Sequence, residues 1–197
     1  MQFSVIALRV TFLSSCNGDK TIKTDVPIPT EFAGFVLGGC YTRNECEESF
    51  QKYIESFVII DEDNYGTGKI YNLFPFSLFS SENFLFAGYN WTYLRLFVND
   101  SNVLSGMQFT FTADEFEPST DQYENLKNTL SEKYGRAREH KEDNRHRRCR
   151  WTDGKTLLVV AVEESTTTTG ETKSFCMLCY YDCELQSALE NSGKTEL

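Results

Sequence analysis

Histidine, proline and positive charge are scarce in this chain. Its 197 residues hold 2 His and 4 Pro, and 19 Lys+Arg stand against 29 Asp+Glu, a formal net charge of −10. The charge deficit argues against nucleic acid as a partner, because that binding draws on cation contacts to phosphate. The only histidines are His140 and His146, neighbours in one basic stretch, which leaves little material for His-centred catalysis. No Gly-x-Ser-x-Gly, His-Glu-x-x-His or phosphate-binding loop occurs. No apolar run reaches the roughly 18 residues of a membrane span. No catalytic residue and no cofactor is therefore expected, and a hydrolase ranks third among the functional readings, behind two kinds of binding protein.

Aromatic residues and cysteine are plentiful. Sixteen Phe and 10 Tyr favour packed β structure, and the length suits one domain with a sizeable core. The first residues are mostly apolar (Phe3, Val5, Ile6, Ala7, Leu8, Val10, Phe12) and lead into Leu13-Ser14-Ser15-Cys16. This stretch resembles a lipoprotein signal peptide ending in a lipobox, with Cys16 as the lipidated residue. Arg9 interrupts the run and no cation precedes it, which departs from the usual pattern. The competing reading is a buried first strand with an ordinary cysteine. The expected organisation is a signal peptide over 1–15, lipid attachment and a polar tether over 16–31, and a single domain over 32–197.

Six cysteines remain: Cys40, Cys46, Cys149, Cys176, Cys179 and Cys183. An even number in an exported protein suggests disulfides, with fifteen pairings open, while several could equally be small buried hydrophobes. Cys176-x-x-Cys179-x-x-x-Cys183 with Cys149 has some of the spacing of a thiolate zinc site. The stretch reads as strand, however, and residues three apart on a strand face opposite ways, so no metal is expected.

Two helices are signalled. One is expected over Arg43–Ser56, with Thr42 and Glu45 as a capping box, and one over Thr120–Tyr134, with Ser119 and Gln122 as a second box and Gly135 as the stop. Strands are expected over 57–61, 69–73, 84–88, 93–98, 104–112, 136–142, 148–152, 156–163 and 175–181, with a hairpin at Asp153-Gly154. Asp61-Glu62-Asp63 reads as a solvated turn. The order gives an α+β fold: a mostly antiparallel sheet with two main helices, arranged as two similar helix-plus-meander halves.

Phe35-Val36-Leu37-Gly38-Gly39 followed by Thr42-x-x-Glu45 resembles the strand-to-helix entry of small periplasmic lipoproteins with the β-lactamase-inhibitor-protein-like fold, including the SmpA/OmlA outer-membrane assembly type. Gly88-x-x-Trp91, Leu126 to Tyr134-Gly135 and Trp151 are similar to uncharacterised lipoproteins of Bacteroidetes. The resemblance covers most of the chain after residue 32, and its motifs are mainly fold-making. It implies a binding or assembly role in the cell envelope and supplies no catalytic residues. The cysteine set departs from the simple pattern of that fold.

Two surfaces are candidates for binding. Tyr89, Trp91 and Tyr93 alternate with polar residues and could form an aromatic face for a glycan, another small ligand or a partner, although core packing against a helix is the stronger reading of such aromatics. Arg145, Arg147, Arg148 and Arg150 could form an anion patch, although charges of this kind also protect strand edges. The leading expectation is a non-enzymatic envelope lipoprotein, held to a bacterial membrane by its lipid and facing the periplasm or the surface, that binds a protein partner in assembly, inhibition or scaffolding. A glycan or small-ligand binder is the alternative.

Overall fold

The period-two patterns in the sequence become long strands in the computed structural model, which describes residues 20–54, 57–65, 68–76, 83–166 and 170–185. Cys16 and the expected signal segment 1–15 lie outside the described residues. The strands are β1 (Thr21–Lys23), β2 (Glu31–Phe32), β3 (Phe35–Val36), β4 (Phe57–Tyr65), β5 (Gly68–Phe76), β6 (Phe84–Phe86), β7 (Tyr89–Trp91), β8 (Tyr93–Val98), β9 (Leu104–Ala113), β10 (His140–Lys141), β11 (Arg147–Thr152), β12 (Thr156–Thr166) and β13 (Thr172–Asp182). The two main helices are α1 (Arg43–Tyr53) and α2 (Phe116–Tyr134), and a further helical turn begins at Cys183. The fold is α+β, as the sequence implies.

Nine strands form one sheet in the order β1-β11-β12-β13-β9-β8-β5-β4, with β10 also on β11. All neighbours in it are antiparallel except β1, which runs parallel to β11. The two expected halves are visible in this order. Helix α1 precedes the meander β4-β5-β8-β9, and α2 precedes β10-β11-β12-β13. The last strands of the halves, β9 and β13, pair at the centre, with Phe109 opposite Leu178.

Local chemistry explains the helix ends. Thr42 and Glu45 make the expected capping box at α1, where the Thr42 backbone N–H donates to the Glu45 carboxylate at 2.8 Å. At α2 the expected box is not the cap. The helix starts four residues earlier, at Phe116, and Pro118 sits in its first turn, where its missing N–H costs little. Ser119 is instead buried inside the helix, 2.9 Å from the Ser174 hydroxyl. Gly135, with φ 98°, ends α2 as expected.

Further corrections concern the chain's first described part and two strands. Residues 21–31 are not a free tether: β1 pairs with β11, and Ile28 is buried with its N–H donating to Asp153 at 2.8 Å. Sequence inspection passes over β1 because it is short and its partner lies far away in sequence. Asp61-Glu62-Asp63 is strand rather than turn, since β4 runs to Tyr65, with Glu62 paired to Lys69 at 2.7 Å and Asp63 accepting from Asn72 at 3.0 Å. The expected strand at 136–142 shrinks to His140–Lys141.

Strand pairing sorts the side chains into two faces. One face carries Leu73, Leu94, Leu96, Phe109, Leu178, Leu158 and Trp151, and it receives α1, α2 and the hairpins β2–β3 and β6–β7. Rings pack closely there, and Phe86 stacks on Phe109 with centroids 4.4 Å apart. The opposite face carries a separate apolar cluster that includes Phe97, Val159, Met177 and Tyr181. Gly106 lies under the Tyr181 ring, where a Cβ would collide with it. Among the described residues, no helix is long and apolar enough to cross a membrane.

Candidate functional site

The densest group of ionisable side chains lies where α2 meets β11. Tyr123 projects from α2 into the core, and its hydroxyl donates to Glu139 at 2.8 Å. The Cys149 sulfur lies 3.3 Å from the same oxygen. Because the Tyr123 proton is committed to Glu139, the thiol is the donor in that second contact. Arg147 and Lys127 lie over the Tyr123 ring, 5.0 and 5.4 Å from its centre. Arg147 also pairs with Glu124 at 2.8 Å, and Lys127 pairs with Glu124 and lies 3.5 Å from Glu139.

Two cations thus meet two carboxylates around a buried phenol and a buried thiol. Burial pushes the Tyr123 hydroxyl well above its ordinary range, helped by Cys149 and Glu139. Burial likewise raises the Cys149 thiol. Burial works against the Glu139 carboxylate, but the bonds from Tyr123 and Lys141 and the Lys127 charge outweigh it, so Glu139 titrates below its usual value. A reactive cysteine needs a lowered pKa and access, and Cys149 has neither. The cluster is suited to locking α2 onto the sheet.

The arginines expected as one anion patch do not form one. Arg147 points to the helix face, whereas Arg148 and Arg150 sit on the opposite face of the same strand, because alternate residues of β11 face opposite ways. Arg145, in the loop before β11, pairs with Glu164 of β12, and Arg148 lies 3.5 Å from Glu142. His146 contacts Asp143 at 2.9 Å and the Glu164 carbonyl at 3.1 Å, while His140 lies 3.8 Å from Glu142.

The aromatic face is corrected in the same way. Trp91 is fully buried on the helix side, its indole N–H donating to the Phe86 carbonyl at 3.1 Å. Tyr93 is buried on the other face beside Phe74, centroids 5.2 Å apart. Tyr89 alone is half-buried, with its hydroxyl 3.4 Å from that of Thr129. A strand break at Thr92 separates the three, so they offer no common platform.

The expected disulfides among Cys40, Cys46, Cys149, Cys176 and Cys179 are not formed; all five are free thiols. Register explains this for the sheet cysteines. Cys149 stands opposite Val160, Cys176 opposite Val162, and Cys179 opposite Val159. Cys149 and Cys176 lie on strands two apart, roughly 10 Å by strand spacing alone, beyond disulfide reach. Cys176 and Cys179 face opposite ways, one in each apolar cluster. Cys183, buried at the end of β13 with the Thr152 hydroxyl 3.8 Å from its sulfur, differs from these five in being disulfide-bonded. Among the described residues, no group of three or more His, Cys, Asp or Glu is placed to hold a metal ion.

Phe84-Leu85-Phe86 reads in the sequence as mostly core with an interaction patch wherever part of it is exposed, and such a patch lies where α1 meets the β6–β7 hairpin. Leu85 is 63% exposed and Tyr53 is 40% exposed, and they are joined: the Tyr53 hydroxyl donates to the Leu85 carbonyl at 2.7 Å. The Tyr53 ring also meets Phe84 and Phe86 edge-on, at 6.4 and 6.1 Å. The exposed leucine is therefore held on a fixed support. Alternation along Phe84-Leu85-Phe86 turns Leu85 away from its two neighbours and outward.

No family model, no curated protein and no solved structure matches this chain.

Proposed function

We propose that this is a non-enzymatic binding protein of the cell envelope, anchored by lipid on Cys16, that recognises a protein partner through the corner formed by α1 and the β6–β7 hairpin. The observation that carries the binding half is the Tyr53–Leu85 pair. A large apolar side chain held outward by a hydrogen-bonded aromatic neighbour is the kind of anchor that contributes heavily at protein interfaces. Val36, also exposed, lies on the adjacent hairpin, whose Phe32 meets Phe86 edge-on at 6.2 Å. The ionisable cluster around Tyr123 supports this reading because its thiol and phenol are buried and raised rather than activated.

The anchoring half rests on Leu13-Ser14-Ser15-Cys16. With β1 beginning at Thr21, a lipid on Cys16 would hold the domain within about 18 Å of the membrane surface, since an extended residue spans at most about 3.6 Å.

The test is cross-linking in native membranes followed by purification and intact-mass measurement. The expected result is a processed, acylated Cys16 and a cross-linked partner that is lost in Leu85→Asp while the variant keeps the wild-type melting temperature. An uncleaved, unacylated N-terminus would sink the anchoring half. Equal partner capture by wild type and Leu85→Asp would sink the binding half.

A further inference from the structure

The large sheet ends differently on its two sides. One side stops on β1 and β10, three and two residues long, and edges this short offer little to an extra strand. The other stops on β4, nine residues from Phe57 to Tyr65, which among the described residues pairs with β5 alone.

In an antiparallel ladder, alternate residues turn their backbone N–H and C=O away from the partner strand. Two contacts identify those residues in β4. The Ile60 carbonyl accepts from the Arg43 guanidinium at 3.1 Å, and the Glu62 N–H donates to the Asp61 carboxylate at 3.0 Å. Ile60 and Glu62 therefore face outward, and by the same alternation Val58 and Asn64 do too. Arg43 and Glu62 are exposed, and Asp61 is half-buried. Side chains rather than a strand hold these two backbone groups, so both can pass to a backbone partner. Outward groups recur at every second residue, about 7 Å apart, which is the repeat that an added strand requires.

Side chains select the occupant. Asp61, Glu62 and Asp63 lie consecutively along this edge, after an apolar half made by Val58 and Ile60. Glu62 is on the helix face, and Asp61 and Asp63 are on the second face, opposite the helices, so an added strand meets acid on both sides. The cations nearby are Lys69, paired with Glu62 at 2.7 Å, and Arg43, which an incoming strand displaces. A second copy fits badly. Two β4 strands paired antiparallel in full register set Asp61 against Asp61, and like charges directly opposed are destabilising.

We propose that the outer edge of β4 accepts an extended segment of a partner protein as a further strand, with lysine or arginine side chains opposite Asp61, Glu62 and Asp63. The segment takes the Ile60 carbonyl from Arg43 and the Glu62 N–H from Asp61. The Asp61 carboxylate so released meets a cation instead. This edge shares no residue with the Tyr53–Leu85 corner and does not depend on it.

The test is a fluorescent, end-blocked heptapeptide of threonine, three lysines, two valines and threonine. In antiparallel register its lysines stand opposite Asp63, Glu62 and Asp61. Fluorescence anisotropy with the full-length chain should show saturable binding. The same peptide N-methylated on the amides that face β4 should bind about tenfold more weakly, as should a version with glutamates for lysines, since each loses the equivalent of at least one hydrogen bond. Glu62→Pro removes an outward N–H and leaves the ladder to β5 intact, so it should weaken binding similarly, while Leu85→Asp should bind as wild type. No binding, or equal binding of the N-methylated peptide, would overturn strand addition. Equal binding of the glutamate peptide would overturn the choice of a basic partner. Loss of binding in Leu85→Asp would place the peptide at the other corner and end the proposal. The N-methylated comparison uses unaltered protein, so it decides the matter even where Glu62→Pro fails to fold.

Discussion

The indole N–H of Trp151 donates to the carbonyl of Gly135 at 2.8 Å, joining the end of α2 to the C-terminal end of β11. Gly135 closes α2 in a positive-φ conformation, and its carbonyl would otherwise face a buried ring. The first half contains a counterpart in Trp91, whose N–H donates to the carbonyl of Phe86. Trp151→Phe removes the donor and part of a fully buried ring. The expected cost is about 2–4 kcal/mol, combining a lost buried hydrogen bond with a cavity. Urea unfolding checks it: the midpoint should fall with little change in slope. A midpoint within error of wild type would mean the bond does not hold α2 in place.

Thiol accessibility gives a second prediction. Of the five free cysteines, Cys40 is exposed, its sulfur 3.5 Å from the Ser101 carbonyl. Cys46, Cys149, Cys176 and Cys179 are buried, and burial pushes Cys46 and Cys179 up to about 12. Alkylation at pH 8 should label Cys40 within minutes and these four only as fast as the protein unfolds. Peptide mapping over a time course reads this directly. Rapid labelling of Cys179 would show that the second sheet face opens.

Much of the fold is legible in the sequence where the signal is local. The Thr42–Glu45 box and the Gly135 stop are patterns within a few residues, and the structure follows them; the alternation of Met107, Phe109 and Phe111 with Gln108, Thr110 and Thr112 does mark a strand, but the polar face it implies to be wet is buried at Gln108 and Thr110. Signals that depend on partners far along the chain are not legible. The pairing of β1 with β11 joins residues separated by well over a hundred positions, and nothing around Thr21 announces it. Ser119 has the right spacing for a cap, yet its hydroxyl bonds Ser174 instead. The candidate binding residues split for a reason visible only once register is known. Trp91 and Tyr93 stand on opposite sides of the break at Thr92, and Arg147 and Arg148 face opposite sides of one strand. The Phe84-Leu85-Phe86 run reads as core or patch in the sequence, and only the hairpin shows that Leu85 is the residue facing outward.

Glu163 predicts a pH dependence. It is 5% exposed on the second face of β12, and burial raises its pKa from 4.5 to about 7, with His146 and Arg95 opposing the rise and Glu142 adding to it. A carboxyl raised on folding binds more protons in the native state than in the unfolded chain. Its penalty is therefore absent below pH 4.5, grows through the interval to about 7, and is complete above it. Glu163→Gln removes that charge. The variant should match wild type near pH 4 and exceed it by about 1–3 kcal/mol at pH 8, following the energy of a pKa shift of this size. Chemical denaturation at the two pH values measures the difference. Equal offsets at both would show that Glu163 is not the titrating group.

The pin between α2 and β11 can be measured as a coupling. Tyr123→Phe removes the hydroxyl that serves both Glu139 and Cys149, leaving a partly buried carboxylate with fewer donors. Its expected cost is about 1–2 kcal/mol. Cys149→Ala removes a buried sulfur and should cost about 1–2 kcal/mol through packing. If the thiol donates to the phenol oxygen, the losses overlap, and the double variant should be less destabilised than the sum by about 0.5–1 kcal/mol. Strict additivity would place the two side chains in independent environments and remove the hydrogen bond from the account of how α2 is held. The sign matters as much as the size, because an active thiol would behave differently. A Cys149 kept as thiolate by Lys127 and Arg147 would repel the Tyr123 oxygen less once protonated, so the coupling would shrink as pH falls below neutral. A thiol raised by burial stays protonated throughout that range, and the coupling should be flat between pH 5 and pH 8.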